Sequence, residues 1–310
     1  MLDRLSVSEF TTHRWSFCQD VVRYASEGIN QMGIWRTKMD DFDLDEAIDL
    51  LFEMKMKVSS IHWAGGFTGC DGRKFVDAVD DGIGAVQLAA QVGADCLIVH
   101  PGSQNGHTDR HARRIFISAI DNLAQAAADY GTRIVLEPMP HQPASSWTFY
   151  RRFSEYLDVL SAFDPKHVGI AIDLFHVGHL VEAYDRIPQY IDRLALVQIA
   201  DRDISQPQLL LSKGRYVENR KIPGEGGIQI DRWISTLNRY GYRGAYELEI
   251  HGKGFSRSNY RSTIDSSIRY LCSQDRSFNV NRKISDAERQ RVMDREKERR
   301  GAELNMQSRW

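Results

Sequence analysis

Short apolar runs alternate with longer amphipathic ones along this chain from residue 5 to about residue 272. The strand-like runs are LSVSEF (5–10), INQMGIW (29–35), KVSSIH (57–62), CLIVH (96–100), RIVLE (133–137), VGIAID (168–173), LALVQI (194–199) and AYELEI (245–250). Between them, apolar residues recur at helical spacing over 16–27, 43–55, a stretch ending near Gln91, 109–129, 148–161, 180–191 and 230–240. Eight strands separated by helices, with no run of consecutive strands, predict an α/β fold: a closed parallel (β/α)8 barrel, the TIM-barrel architecture. A doubly wound sheet is the competing arrangement, but its glycine fingerprint is missing. GIGAVQ at 82–87 falls inside a helical pattern with no strand just before it, so no nicotinamide cofactor is expected.

Beyond Cys272 the pattern stops. Residues 273–310 are almost free of aliphatic side chains and dense in alternating charge, with helix-favouring content from about Ser285 to Leu304. The chain therefore divides into a barrel, 1–272, and a charged C-terminal tail, 273–310, that cannot build a core of its own. A solvated helical or disordered extension is the plain expectation for it; a docking helix for a second subunit, hence a homo-oligomer, is the functional one.

Lone polar residues at the strand ends carry the chemistry. Glu137, Asp173, Gln198 and Glu249 each close an apolar run, and a carboxylate buried in apolar surroundings is costly unless a positive charge compensates. Strand alternation sends Tyr246, Leu248 and Ile250 toward the helices and Glu247, Glu249 and His251 inward. By the same rule Gly169, Ala171 and Asp173 face in, Cys96, Ile98 and His100 share a face, and so do Val58, Ser60 and His62. Polar groups thus gather at strand C-termini, where such barrels place their active sites. Three carboxylates and an amide oxygen form a hard oxygen set, which favours Mn²⁺, with Mg²⁺ or Co²⁺ as alternatives, over Zn²⁺.

Composition adds exclusions. A net charge of -2 gives no electrostatic case for nucleic acid. The four cysteines, Cys18, Cys70, Cys96 and Cys272, lack the spacing of a disulfide framework or a thiolate zinc site. No signal-like segment and no membrane-length apolar run is visible, so a soluble cytoplasmic protein is expected.

The endings LEP (136–138), IDLFH (172–176) and VQIAD (197–201), the loop IPGEGGIQI (222–230) and GYRGAYELEI (241–250) resemble the xylose-isomerase-like TIM barrels. That superfamily contains sugar isomerases and epimerases, dehydroshikimate dehydratases and endonuclease IV repair enzymes. The resemblance implies that Glu137, Asp173 and Glu249 are metal ligands, with Gln198 where most members carry a histidine. It also implies that His176, in the DxxH pattern, contacts substrate or supports the ligands. A strand-seven histidine and an aspartate-x-histidine pair, which the nuclease branch needs, are missing, so DNA repair is disfavoured.

The expected activity is a sugar, or sugar-like, isomerase or epimerase. A divalent metal grips a carbonyl and its neighbouring hydroxyl, and Glu137 and Glu249 remove and return a proton through an enediolate. A lyase acting on dehydroshikimate or a keto-sugar shares the opening step, and a non-catalytic metal- or sugar-binding barrel is the third reading. The expected partner is a small carbohydrate or keto acid. Substrate contacts are expected from His62, His100, His176, Trp35, Trp63 and Lys221, with Arg220 as the competitor of Lys221. His251 is a supporting candidate, and His107, His111, His141 and His179 are assigned no role. The long loop 201–227, with its LLLSKGRY stretch, is expected to act as a lid or an oligomer contact.

Overall fold

In the computed structural model, which describes residues 4–40, 42–139, 146–206, 209–212, 215–252, 254–274 and positions 290, 291 and 294, the eight predicted runs close into one parallel barrel. Its strands are β1 (Leu5–Ser8), β2 (Gln31–Trp35), β3 (Lys57–Ala64), β4 (Leu97–Val99), β5 (Ile134–Leu136), β6 (Val168–Asp173), β7 (Leu194–Ile199) and, after four short strands in a long connection, β12 (Ala245–Leu248). Around the ring the order is β1-β12-β7-β6-β5-β4-β3-β2, so β12 and β5 are separated by β7 and β6. The main covering helices are α1 (Phe17–Ser26), α3 (Leu44–Glu53), α4 (Phe75–Gln91), α5 (Asp109–Tyr130), α6 (Phe153–Leu160), α10 (Ile230–Arg239) and α11 (Tyr260–Gln274). A one-turn helix, α2 (Arg36–Met39), follows β2 directly, as α7 (Leu174–Val177) follows β6. Among the described residues no helix is long and apolar enough to cross a membrane. The predicted tail lies, past Gln274, outside the described residues except at positions 290, 291 and 294.

Two helices differ from the periodicity, each for a local reason. The segment 180–191 is two short helices, α8 (Val181–Asp185) and α9 (Ile187–Tyr190), because Pro188 at the start of the second lacks the N–H that a continuous helix needs. The helix expected from 148 begins only at Phe153. Glu155 accepts from the amides of Arg151 and Arg152 at 2.8 Å each, which caps the helix there.

The alternation separates two layers. Outward strand residues such as Val7, Ile34, Ile61, Ile170, Val197 and Leu248 join the helices in the main core, while Cys96, Ile98, Val135, Ala171 and Leu196 fill the barrel interior. Strand β3 breaks the rule. Its register against β2 slips between Met32 and Gly33, which pair with Val58 and Ser60, so Ser59 is an extra residue in a bulge. Ser59 and Ser60 therefore both turn inward, and Val58 packs in the outer layer rather than sharing a face with Ser60 and His62.

The long connection after β7 is folded rather than loose. It holds β8 (Asp201–Arg202) paired with β11 (Arg220–Lys221), and a hairpin of β9 (Leu209–Ser212) and β10 (Arg215–Glu218). Asp201 fixes its return. The buried carboxylate accepts from the amides of Gly224, Gly226 and Ile228 at 3.0 Å and of Arg202 at 2.8 Å, so the IPGEGG turn wraps around one side chain. Gly226 is required for that approach, because a Cβ there would collide with the Arg202 carbonyl and the Asp201 carboxylate. Replacing Asp201 by Ala leaves those amides without their acceptor. We expect a loss of about 2–4 kcal/mol in urea unfolding and faster amide exchange over residues 222–228. Unchanged values in both would contradict this role.

Candidate active site and metal centre

The barrel's C-terminal mouth collects the predicted residues from seven elements, six strands and a one-turn helix. Asp173 ends β6, Gln198 lies in β7, and Glu137 and Glu249 sit one residue past β5 and β12. His62 belongs to β3, His100 follows β4, and His176 lies on α7 one turn after Asp173. All seven are buried. Five of them, together with Glu247, form two groups: His62, Glu247 and Glu249 in one, and Glu137, Asp173 and His176 in the other, each with ligand atoms within 4.8 Å of one another.

Arg220 joins the two groups. Its Nη2 donates to Asp173 Oδ2 at 2.7 Å and lies 3.3 Å from Glu249 Oε1; Nη1 donates to the Glu249 carbonyl at 2.9 Å, and Nε bonds Glu218. The sequence favours Lys221 over Arg220 as the basic group of the site; the structure places Arg220 among its carboxylates. Alternation in β11 turns the Arg220 side chain inward, whereas Lys221 is half-buried and its charge is felt at Asp203 on the loop.

Glu247 is the residue that alternation placed inward without a task. Its carboxylate is fully buried and accepts from Ser59 Oγ at 2.6 Å, Ser60 Oγ at 2.7 Å and His62 Nε2 at 3.0 Å. The niche depends on Gly33 of β2, since a Cβ there would run into Glu247 Oε2 and lie 2.6 Å from Ser60 Oγ. Satisfied by these donors, Glu247 acts as the carboxylate behind His62, and His62 Nδ1 faces Glu249 Oε2 at 3.7 Å.

Electrostatics divide the carboxylates. Burial, with repulsion from Asp173 and Glu249, pushes Glu137 well above its ordinary value. Burial also raises Asp173, to about 6, with Arg220 pulling against it. Glu249 goes the other way: burial would raise it, but Arg220, the His251 hydrogen bond and the nearby imidazoles hold it far below the usual carboxylate range. His62 is held above its ordinary value, because Glu247 and Glu249 outweigh its burial. His100 drops to about 3 through burial and the neighbouring His62, so its imidazole is neutral.

Aromatic side chains wall the mouth. Trp35 stacks on Phe10 at 5.0 Å, and Phe10 faces His62 and His251 at 5.1 and 5.8 Å. Opposite, Trp63 and Trp147 meet edge to face at 4.8 Å, with His100 against both. Sequence reasoning passed over Phe10, Trp147 and Glu218, and ranked Arg220 behind Lys221. Phe10, two residues beyond β1, carried the one available signal, a strand-end position like that of Trp35.

The residues fit a divalent cation. Gln198 donates through Nε2 to Glu249 and leaves Oε1 buried without a partner among the described residues. Such an orphaned acceptor beside Glu249, with Glu137 and Asp173 across Arg220, matches a hard-ion donor set. Since Glu137 and Asp173 hold their protons to higher pH than free carboxylates do, a metal must displace those protons to bind. The rise in unfolding temperature on adding Mn²⁺ to chelator-stripped protein should therefore be large at pH 7.5 and small at pH 5. A pH-independent rise would count against these ligands, and Gln198→Ala should reduce it at both pH values.

Comparisons with known proteins agree with this fold. The family described as xylose isomerase-like TIM barrel matches residues 21–274. An inosose isomerase of Halalkalibacterium halodurans is 22% identical over 160 residues, 51% of each chain. A 3-dehydroshikimate dehydratase of Pseudomonas aeruginosa is 23% identical over 212 residues, 66% of this chain and 31% of that protein. The match thus spans about half the length of the first relative and a third of the second. A crystal structure of an IOLI protein with a bound zinc atom superposes with a TM-score of 0.71 at 17% identity, covering 89% of this chain and 99% of that one, a likeness of fold.

Proposed function

The chain belongs to the xylose isomerase-like TIM-barrel family, and on that premise we propose that it is a divalent-metal-dependent isomerase or epimerase of a sugar or sugar-like keto compound. The observation that carries the reading is the convergence of Glu137, Asp173 and Glu249 on one buried mouth beside the unpartnered Oε1 of Gln198. These four would hold the ion, and Mn²⁺ suits their oxygen donors best. When bound, a divalent ion supplies Lewis acidity, which lowers the pKa of the proton on carbon beside a substrate carbonyl.

The side chains do the rest. Glu249, kept ionised by Arg220, is in the state of a base that takes the carbon-bound proton; Glu137, the carboxylate with the higher proton affinity, is the one suited to return a proton. The separation of β5 from β12 by two strands lets the two carboxyl groups address opposite faces of a substrate. His62, His100 and His176 line the same mouth, and Trp35 and Trp63 form parts of its aromatic wall.

A lyase is the second reading, favoured by Gln198 and by the similarity to a 3-dehydroshikimate dehydratase. It shares the proton removal, after which a β-hydroxyl leaves with a proton from the site. His62, held above its ordinary value, suits that donation better than neutral His100.

Solvent deuterium incorporation into a panel of ketoses, inososes and 3-dehydroshikimate, with Mn²⁺ restored to stripped protein, tests both. Glu249→Gln and Glu137→Gln should each lower exchange by about 10²–10⁴-fold. Product identity separates isomer from dehydrated acid, and absence of exchange in the wild type across the panel would refute the proton-transfer reading.

A further inference from the structure

We propose that Glu218 is a specificity-determining residue that restricts the site to uncharged substrates by keeping Arg220 occupied; the inference rests on the proton-transfer reading and names the charge class of its substrate. Glu218 does not end a barrel strand. It closes β10, on the hairpin inserted between β7 and α10, and reaches the mouth from outside the barrel. Its carboxylate bonds Arg220 Nε, lies 3.5 Å from His251 Nε2 and 3.8 Å from His176 Nε2, and keeps 21% of the side chain exposed. That is a partly exposed position beside His251 and His176.

Among the described residues, Arg220 is the one guanidinium or ammonium group in ion-pairing distance of Glu137, Asp173, Glu218, Glu247 or Glu249. All of its nitrogens are engaged: Nη2 by Asp173 and Glu249, Nη1 by the Glu249 carbonyl, Nε by Glu218. A substrate carboxylate or phosphate would find no free guanidinium or ammonium group here and would lie beside the carboxylates of Asp173, Glu218 and Glu249, whose charge opposes it. Hydroxyl groups find the opposite. His100 Nδ1 is a buried acceptor without a partner among the described residues, placed to take the proton of a substrate hydroxyl. The aromatic pairs Phe10–Trp35 and Trp63–Trp147 offer apolar faces to an uncharged ring.

Of the five carboxylates, Glu218 is the one that neither serves the proposed ion, moves the proton nor backs His62, so its charge is free to act as a filter. Removing that charge both lessens the opposition to an anion and releases Arg220 Nε.

Matched probes test this: D-fructose against D-fructuronate, and 2-keto-myo-inositol against 3-dehydroshikimate. Binding is followed by thermal shift, and solvent deuterium exchange is followed alongside it, for metal-loaded wild type, Glu218→Gln and Glu218→Asp. The wild type should prefer the uncharged member of each pair by at least about tenfold, equivalent to about 1.4 kcal/mol. Glu218→Gln should erode most of that preference, and Glu218→Asp, which keeps the charge, should retain it. Equal or better binding of the carboxylated probes by wild type, or an unchanged ratio in Glu218→Gln, overturns the proposal. Binding of uncharged probes without exchange would uphold this inference and remove the proton-transfer reading. Exchange on carboxylated probes alone would do the reverse.

Discussion

Everything at the mouth of this barrel depends on one electrostatic constraint: buried carboxylates crowd a space that must contain positive charge. Glu137, Asp173 and Glu249 come from β5, β6 and β12, and the backbone brings them together whatever their mutual repulsion. Arg220 answers part of that demand, and it is held in place from a distance. Asp201 gathers the amides of the IPGEGG turn, that turn returns the chain through β11, and β11 pairs with β8 so that Arg220 points inward. The motif VQIAD and the glycine-rich loop are therefore one device. Its output is a guanidinium between two carboxylates.

The second device lies below the first. Glu247 is a fully buried carboxylate that Arg220 does not reach, and it is made tolerable by hydroxyl and imidazole donors instead. A bulge at Ser59 turns two consecutive serines to the same side, and Gly33 opposite leaves the space they point into. One half of the barrel interior is thus polar, on β1, β2, β3 and β12. The other half, on β4 to β7, is filled by Cys96, Ile98, Val135, Ala171 and Leu196. The ligand candidates sit where the two halves meet the mouth.

Much of this was legible in the sequence, because a barrel strand writes its two faces as alternate residues. The order of the strands, the inward turn of Glu249 and Asp173 and the neighbourhood of the histidines follow from that period. What escaped it depends on events that break the period or lie between strands. The bulge that moves Val58 outward leaves no trace in composition. The choice between Arg220 and Lys221 turns on the phase of a two-residue strand that exists only because β8 is there to pair with it. Glu218 and Trp147 belong to connections whose reach cannot be read from hydrophobicity.

The asymmetry between Glu137 and Glu249 follows from the same arrangement. Both are buried carboxylates beside the same neighbours, and burial alone would raise them alike. Glu249 shares Arg220 with Asp173 and has imidazoles on two sides, from His62 and His251, so its charge is compensated. Among the described residues Glu137 has His100 and His176 at 3.5 and 3.8 Å, and repulsion from Asp173 and Glu249 outweighs the pull of Arg220, so its charge is opposed. Two chemically identical side chains thus have their proton affinities shifted in opposite directions, because Arg220 and the imidazoles act more strongly on Glu249. A reaction that takes a proton at one point and delivers one at another needs such a difference, and here the strongest pull on Glu249 comes from the inserted connection that carries Arg220.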